Sequence, residues 1–499
     1  MAEHLINIED AKNNLLACAA FLAENIKSAD GHAEAMQTIV PAYLAKDNVD
    51  LAAEFANAVN DPFTREKLLT LVAVKCAAID DDEYALQLVG AIEDFGIQTQ
   101  ALEKIALQKS AKGDYEKALL IADDLEHADF TLADIAVHLT ETGDDVKAAQ
   151  LLKEIKFPNA KVSALMAMAS VNLSKDANDK ASELLEKAFA ATSDIEHAEE
   201  KIRALNDVGS LFIEANKNAR AIETFDKAKQ SGEKLDNTHR DLLLGTTALG
   251  FFRAGSVDLA DRALDLVTDK TQLSATLVGY SREYWAKDEK QDAIETLEEA
   301  YQILKSQHER ETRDSRAKFG LFTTIAVQFA RYEKPERAIE ITQESADESE
   351  QIAGLTQIAQ VLTLQGKDDL ARQSLNSIAE DSQRLFAIIA VSDAKNKAEK
   401  REEAINLLNE AAQLAETVPQ LSARSQAFNE LANRFVIYDE SDRARELSHE
   451  NLETIAEIRD ESIRAVALAN LAALYESAKF ELSDAEKETI YTMIRKAEW

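Results

Sequence analysis

Leu69-Thr70-Leu71-Val72-Ala73-Val74-Lys75-Cys76-Ala77-Ala78-Ile79-Asp80-Asp81-Asp82-Glu83-Tyr84-Ala85-Leu86-Gln87-Leu88-Val89 decides the fold. Leu69 and Ala73 are four apart, as are Ala85 and Val89, and residues four apart share one face of a helix. Between the two apolar stripes lies Asp80-Asp81-Asp82-Glu83, a run suited to a turn and to the N-cap of a second helix. The stretch therefore reads as helix, tight turn, helix. Ala73 and Ala85, twelve apart, sit where the two helices cross. A leucine there would hold the axes apart, whereas alanine lets them close to about 8–10 Å.

The same arrangement recurs along the chain. An alanine stands in this setting at Ala52, Ala85, Ala118, Ala148, Ala181, Ala221, Ala260, Ala293, Ala338, Ala371, Ala404 and Ala444, and most neighbours in the series are 33 apart. Twelve residues before each stand Val40, Ala73, Ala106, Ala136, Ala169, Gly209, Ala248, Ser281, Ala326, Ala359, Ser392 and Ala432, all small except the first. Five residues before each alanine stand Asp47, Asp80, Gly113, Gly143, Asp176, Asn216, Gly255, Asp288, Glu333, Gly366, Glu399 and Asp439. That is the composition of a helix end turning through the left-handed region. Pro335 falls at the first turn of a second helix, where a missing N–H costs nothing. Pro62, Pro158 and Pro419 lie between units. Pro41 sits inside a first helix, where a kink or an atypical cap is expected.

Each unit is thus a helix A and a helix B. A small residue, twelve positions, an alanine and an apolar residue four later resembles the tetratricopeptide repeat, over about residues 31–499. The family's tryptophan at the start of helix A is replaced here by leucine or phenylalanine, and its closing proline is mostly absent. The resemblance implies an all-α, right-handed superhelical solenoid of about 12–13 helix-turn-helix repeats, with helix A lining a concave groove. Residues 1–30 read as an N-terminal capping helix, with 8–28 a single amphipathic helix. Residues 31–458 are the repeats. Residues 459–499 form a degenerate C-terminal capping pair in which Ala473 and Ala485 keep the spacing of twelve. Four steps in the alanine series are longer, at 40, 39, 45 and 40. Their extra residues, Ile195 to Lys201 and Ser306 to Lys318 among them, read as added turns on the flanking helices.

Composition narrows the function. The 499 residues carry 91 Asp and Glu against 56 Lys and Arg, a net charge of −35. A surface so negative repels phosphate backbones and anionic membrane, so neither nucleic acid nor membrane is expected as a partner. Two cysteines, Cys18 and Cys76, give no disulfide framework and fit a reducing, cytoplasmic compartment. Cys76 reads as packed core. The eight histidines include no pair at metal-binding helical spacing, and no glycine-rich phosphate loop or nucleophile motif is present. Asp80-Asp81-Asp82-Glu83 lacks the spaced ligands of a calcium loop and reads as a cap. No enzyme activity, metal or cofactor is expected.

The expectation is a scaffold or adaptor that holds a peptide or helical segment of another protein. The candidate contacts are Phe252, Arg253, Arg282, Trp285 and Arg331, from the A helices of three consecutive units. Arginine beside exposed aromatics is the composition of a binding hot spot, and guanidinium suits a carboxylate. Asn429 with Asn433, and Arg203 with Asn206, form weaker candidate pairs similar to the carboxylate clamps of some tetratricopeptide domains. The alternatives are a pentatricopeptide-like RNA reader, which the charge opposes, and a ligand-sensing module. Oligomeric state stays open, with Trp499 and the terminal apolar helices as a candidate dimer contact.

Overall fold

The computed structural model describes residues 4–307 and 315–497. Among these, all regular structure is helical. Two helices come first, α1 (Ile8–Asn13) and α2 (Leu15–Glu24). Thirteen A–B pairs follow, beginning with α3 (Ala29–Ala45) and α4 (Val49–Asn57), α5 (Pro62–Ala78) and α6 (Asp82–Gly90), α7 (Phe95–Ala111) and α8 (Tyr115–Asp123), α9 (Asp129–Thr142) and α10 (Asp145–Glu154). Next are α11 (Pro158–Ser174) and α12 (Asn178–Ala191), α13 (Ala198–Glu214) and α14 (Asn218–Gly232), α15 (Arg240–Arg253) and α16 (Val257–Leu264), α17 (Lys270–Ala286) and α18 (Lys290–Lys305). The last five pairs are α19 (Ser315–Arg331) and α20 (Pro335–Gln343), α21 (Glu348–Leu364) and α22 (Asp368–Asn376), α23 (Asp381–Lys397) and α24 (Arg401–Thr417), α25 (Leu421–Ile437) and α26 (Ser441–Glu457), α27 (Glu461–Ala478) and α28 (Asp484–Ala497). The chain forms two compact units. One takes in residues up to Ile105 and from Leu355 onward, the other Ala106–Gly354. In each, consecutive pairs stack as an all-α solenoid does.

The turn inside each pair is set by one residue. Asp47, Asp80, Asp176, Asn216, Asp288, Glu333, Glu399 and Asp439 all have positive φ, as do Gly113, Gly143, Gly255 and Gly366. These are the twelve positions that the sequence marks. A Schellman bond closes each turn: the Asp81 N–H donates to the Cys76 carbonyl at 2.9 Å, and the Asp144 N–H to that of Leu139 at 2.8 Å. In α4, α6, α8 and α10 the residue after the left-handed one then caps helix B. Asn48, Asp81, Asp114 and Asp144 accept a backbone N–H through their side chains.

The crossings are closed by the small residues. Every alanine of the series, from Ala52 to Ala444, is buried, as are all twelve residues opposite. Gly209 shows why one position drops even the alanine methyl. A Cβ there would lie 2.5 Å from the Phe225 ring, the largest side chain four residues after a series alanine. Gly250 gives the same ring room too: a Cβ there would lie 2.4 Å from it.

Helix A hardly varies, at 17 residues in most pairs, for example α5, α13, α17 and α25. The extra length sits in helix B instead. α12, α14, α18 and α24 have 14, 15, 16 and 17 residues, against 9 in α4, α6 and α8. Ile195 to His197 is a connector, not an added turn, and α13 begins at Ala198. Within Ser306 to Lys318, residues 308–314 lie outside the described residues. Pro335 stands in the first turn of α20, while α3 runs on through Pro41.

Both ends differ from expectation. Residues 8–28 are not one amphipathic helix. Asn14 is extended, with φ −144° and ψ 124°, and its side chain caps α2 by accepting the Ala17 N–H. Helix α2 is buried on every side, from Leu15 to Ala23, because α1, α3 and, from the far end of the chain, α27 and α28 all pack against it. In the last pair the left-handed residue is Lys479. Phe480-Glu481-Leu482 then separate it from the N-cap, Ser483, and shift the register. Ala472 and Glu486 are therefore the buried residues, while Ala473 and Ala485 are exposed. Ser483 and Glu486 form a capping box: the Ser483 N–H donates to Glu486 Oε2 at 2.8 Å, and the Glu486 N–H to Ser483 Oγ at 3.3 Å.

Candidate interaction surface on the A helices

Helices α15, α17 and α19 are consecutive A helices of one unit and pack side by side. Their crossings fix which residues face outward. Ser281 points inward: its hydroxyl donates to the Ala293 carbonyl at 2.8 Å, and its Oγ lies 3.0 Å from the Tyr332 hydroxyl. Tyr332 is thereby held flat at the end of α19, fully buried. Trp285, one helical turn after Ser281, stacks on it with ring centroids 4.1 Å apart and planes 17° apart. Trp285 stays half-exposed. Lys290 Nζ lies 5.4 Å from the centre of its ring.

Two arginines lie close enough to this stack for their charges to act on Tyr332. Arg282 is exposed, and its Nε donates to Gln328 Oε1 at 3.1 Å. Gln328 is buried, so this bond aims the guanidinium outward. Arg331 is exposed beside Tyr332. Burial raises the Tyr332 phenol's pKa, and the charges of Arg282 and Arg331 oppose that shift. The structure therefore brings Arg282, Trp285 and Arg331 together around Tyr332, a residue the sequence did not single out. Arg253 lies on the preceding helix, where its Nε donates to Glu283 at 2.7 Å in an exposed ion pair.

The remaining candidates fall elsewhere. Phe252 is core: it is 2% exposed and stacks on Tyr280 at 4.3 Å. It points into the α15–α17 packing, so it offers no surface. Asn206 is also buried. It accepts the Thr247 hydroxyl at 2.9 Å and donates to the Leu243 carbonyl at 3.2 Å, tying α13 to α15. Arg203 is exposed but binds its own helix, at Glu199, so these two form no clamp. Asn433 donates to the Asn429 carbonyl one turn earlier at 2.8 Å. Asn429 borders a crevice between α25 and α27, and its Oδ1 is buried without a partner. Trp499 lies outside the described residues.

Sequence reasoning passed over a second exposed feature. Phe63 and Phe95 in one unit, and Phe130 and Phe157 in the other, stand exposed at the start of A helices. Phe130 and Phe157 meet edge to face at 5.7 Å. The available signal was a phenylalanine at the N-cap or in the first turn, outside the apolar stripe. Cys18 and Cys76 are both fully buried free thiols. Among the described residues, no group of three or more His, Cys, Asp or Glu side chains could hold a metal. No described helix is long and apolar enough to cross a membrane.

No protein-family model matches the chain. No curated protein matches its sequence. Solved structures do align. Ton1535 from Thermococcus onnurineus NA1 is 18% identical, over 72% of this chain and 98% of its own, with a TM-score of 0.22. BtubC (BKLC) from P. vanneervenii is 17% identical, over 44% and 96%, with a TM-score of 0.26. A circular tandem repeat protein with novel repeat topology is 14% identical, over 97% and 94%, with a TM-score of 0.14. Every one of these TM-scores is below 0.5, and no functional reading rests on them.

Proposed function

We propose that this chain is a tetratricopeptide-like interaction scaffold that binds a peptide or helical segment of another protein through the outward side of its A helices. One observation carries the reading: the partly exposed Trp285 stacks on Tyr332, whose phenol feels the charges of two exposed residues, Arg282 and Arg331. A rigid aromatic held in place by its own core costs little entropy to bind against. Guanidinium beside it selects a carboxylate with directional hydrogen bonds. A basic spot within a chain of net charge −35 also discriminates, because the surrounding acidic surface repels anionic ligands that lack a partner for the tryptophan. The favoured ligand is a peptide with a carboxylate next to an apolar side chain.

The test is selection from a displayed peptide library on the intact chain. Enrichment of peptides with an apolar residue next to a carboxylate is expected, with affinity falling at least tenfold for Arg282→Glu combined with Trp285→Ala. Circular dichroism should be unchanged, since Arg282 is exposed and Trp285 half-exposed. Enriched peptides that bind the double variant equally well would remove this surface from the account.

A further inference from the structure

Arg203, Arg220, Arg240, Arg253 and Arg337, all in the unit that holds Trp285, each meet a carboxylate. Arg282 does not. Its Nε donates to a neutral group, Gln328 Oε1, at 3.1 Å, and among the described residues no carboxylate pairs with it. In a chain with 91 Asp and Glu, a neutral partner leaves this positive charge locally uncompensated.

Gln328 is well placed to set that partner. It lies in α19, 6% exposed, one turn before Tyr332. A carboxamide carries an acceptor at one end and a donor at the other. With Oε1 taken by Arg282, Nε2 serves the Tyr332 phenol. Burial raises that phenol's pKa and the Gln328 hydrogen bond lowers it, as a donor to the phenolate does. One side chain thus holds both Arg282 and the ring on which Trp285 stacks. Glutamate has almost the same shape, but it brings a negative charge and no donor. Arg282 and Trp285 are three apart on α17, so they share a face. With Nε occupied, Nη1 and Nη2 remain, and their spacing matches the two oxygens of a carboxylate.

We propose that Gln328 determines the charge of the ligand that this surface takes: as a neutral carboxamide it orients Arg282 without discharging it, and so leaves the two Nη groups to a ligand carboxylate. The proposal rests on the reading of this surface given above and assigns its charge selection to one residue. A glutamate at position 328 would supply that carboxylate from within the chain.

The experiment compares the full chain with Gln328→Glu and Gln328→Leu. Arg282 is followed by its rate of modification with phenylglyoxal, mapped by peptide mass spectrometry, with Arg253, paired with Glu283, as internal reference. In Gln328→Glu the Arg282 rate should fall about two- to fivefold relative to Arg253, as an ion pair at an exposed guanidinium gives. In Gln328→Leu, which brings no charge, it should not fall. Equal Arg282 rates in the parent and Gln328→Glu overturn the proposal, whatever binds there. The probe is N-acetylleucine, a carboxylate beside an apolar side chain, with N-acetylleucinamide as its neutral counterpart. Only the acid should slow modification of Arg282 in the parent, and neither should in Gln328→Glu. Equal protection of the parent by both overturns the proposal. Protection by neither, with the rate difference present, supports the hold of Gln328 on Arg282 and overturns the carboxylate reading of the surface instead. Should the buried glutamate unfold the chain, seen as lost helix content, Gln328→Leu decides. Tyr332 then loses its donor and should ionise at higher pH than in the parent, by ultraviolet difference titration against Tyr332→Phe. An unchanged titration overturns the proposal, because the carboxamide would not be held between Arg282 and Tyr332.

Discussion

Glu333 and Glu399 hold φ values of 61° and 62°, a conformation that glutamate takes only under constraint. The left-handed region costs a non-glycine residue roughly 1–2 kcal/mol. Glycine at the same place relieves that cost but adds about 0.5–1 kcal/mol of unfolded-chain entropy. Glu399→Gly should therefore stabilise the chain by about 0.5–1 kcal/mol, read as a higher urea midpoint. Glu486 makes the opposite case, a charged residue that the fold needs. Burial pushes its carboxyl pKa up, but hydrogen bonds from Arg445, Tyr475 and the Ser483 N–H, together with the Arg445 charge, outweigh that and hold it at about 2. An ordinary glutamate takes its proton near 4.5. The unfolded chain thus binds the proton more readily, and the contribution of Glu486 is complete above about pH 5 and lost as pH falls towards 2. Between pH 6 and 3 the urea midpoint should fall less steeply in Glu486→Gln than in the parent; equal slopes would show that Glu486 does not carry this dependence. The turn residues were legible because a left-handed joint needs a short list of residue types at a fixed offset. Glu486 was not, because its burial follows from a three-residue shift in the last turn.

At the scale of the helix, the repeat spacing told A from B but not which way each side chain faces. Phe252 and Asn206 read as surface because the residues of helix A that point away from helix B include those covered by the next A helix. Successive helix positions differ by about 100°, so one residue separates a contact with the neighbour from exposure to water. Arg282 falls on the outward side, and Ser281 beside it on the inward side. The added length in α12, α14, α18 and α24 was countable, but its place within the pair was not, since connector and helix have similar composition. The crossing of α13 and α14 offers a test of matched volumes. Gly209→Ala should cost about 1–3 kcal/mol, because the new methyl would meet the Phe225 ring. Phe225→Leu in the same chain should recover a large part of that loss. A double-mutant cycle by chemical denaturation checks it, and strictly additive effects would mean that the two residues do not share the space.

Over the whole chain, the order of helices follows from sequence, while the pairing of α2 with α27 does not. Nothing in a local pattern distinguishes a helix that caps an end from one that completes a distant pair; only its burial on every side does so. The proposed interaction surface was half legible. Arg282, Trp285 and Arg331 were found by composition, but Tyr332, which holds the tryptophan flat, belongs to the turn after its helix and carries no motif. All of these placements depend on the small residues that let helix A and helix B close upon each other. The most direct test compares two adjacent residues of α6. Ala85 is fully buried at the crossing, and Leu86 is 47% exposed. Ala85→Leu should lower stability by about 2 kcal/mol or more in chemical denaturation, and Leu86→Ala should change it by less than about 0.5 kcal/mol. Equal effects, or a tolerated leucine at position 85, would contradict the account.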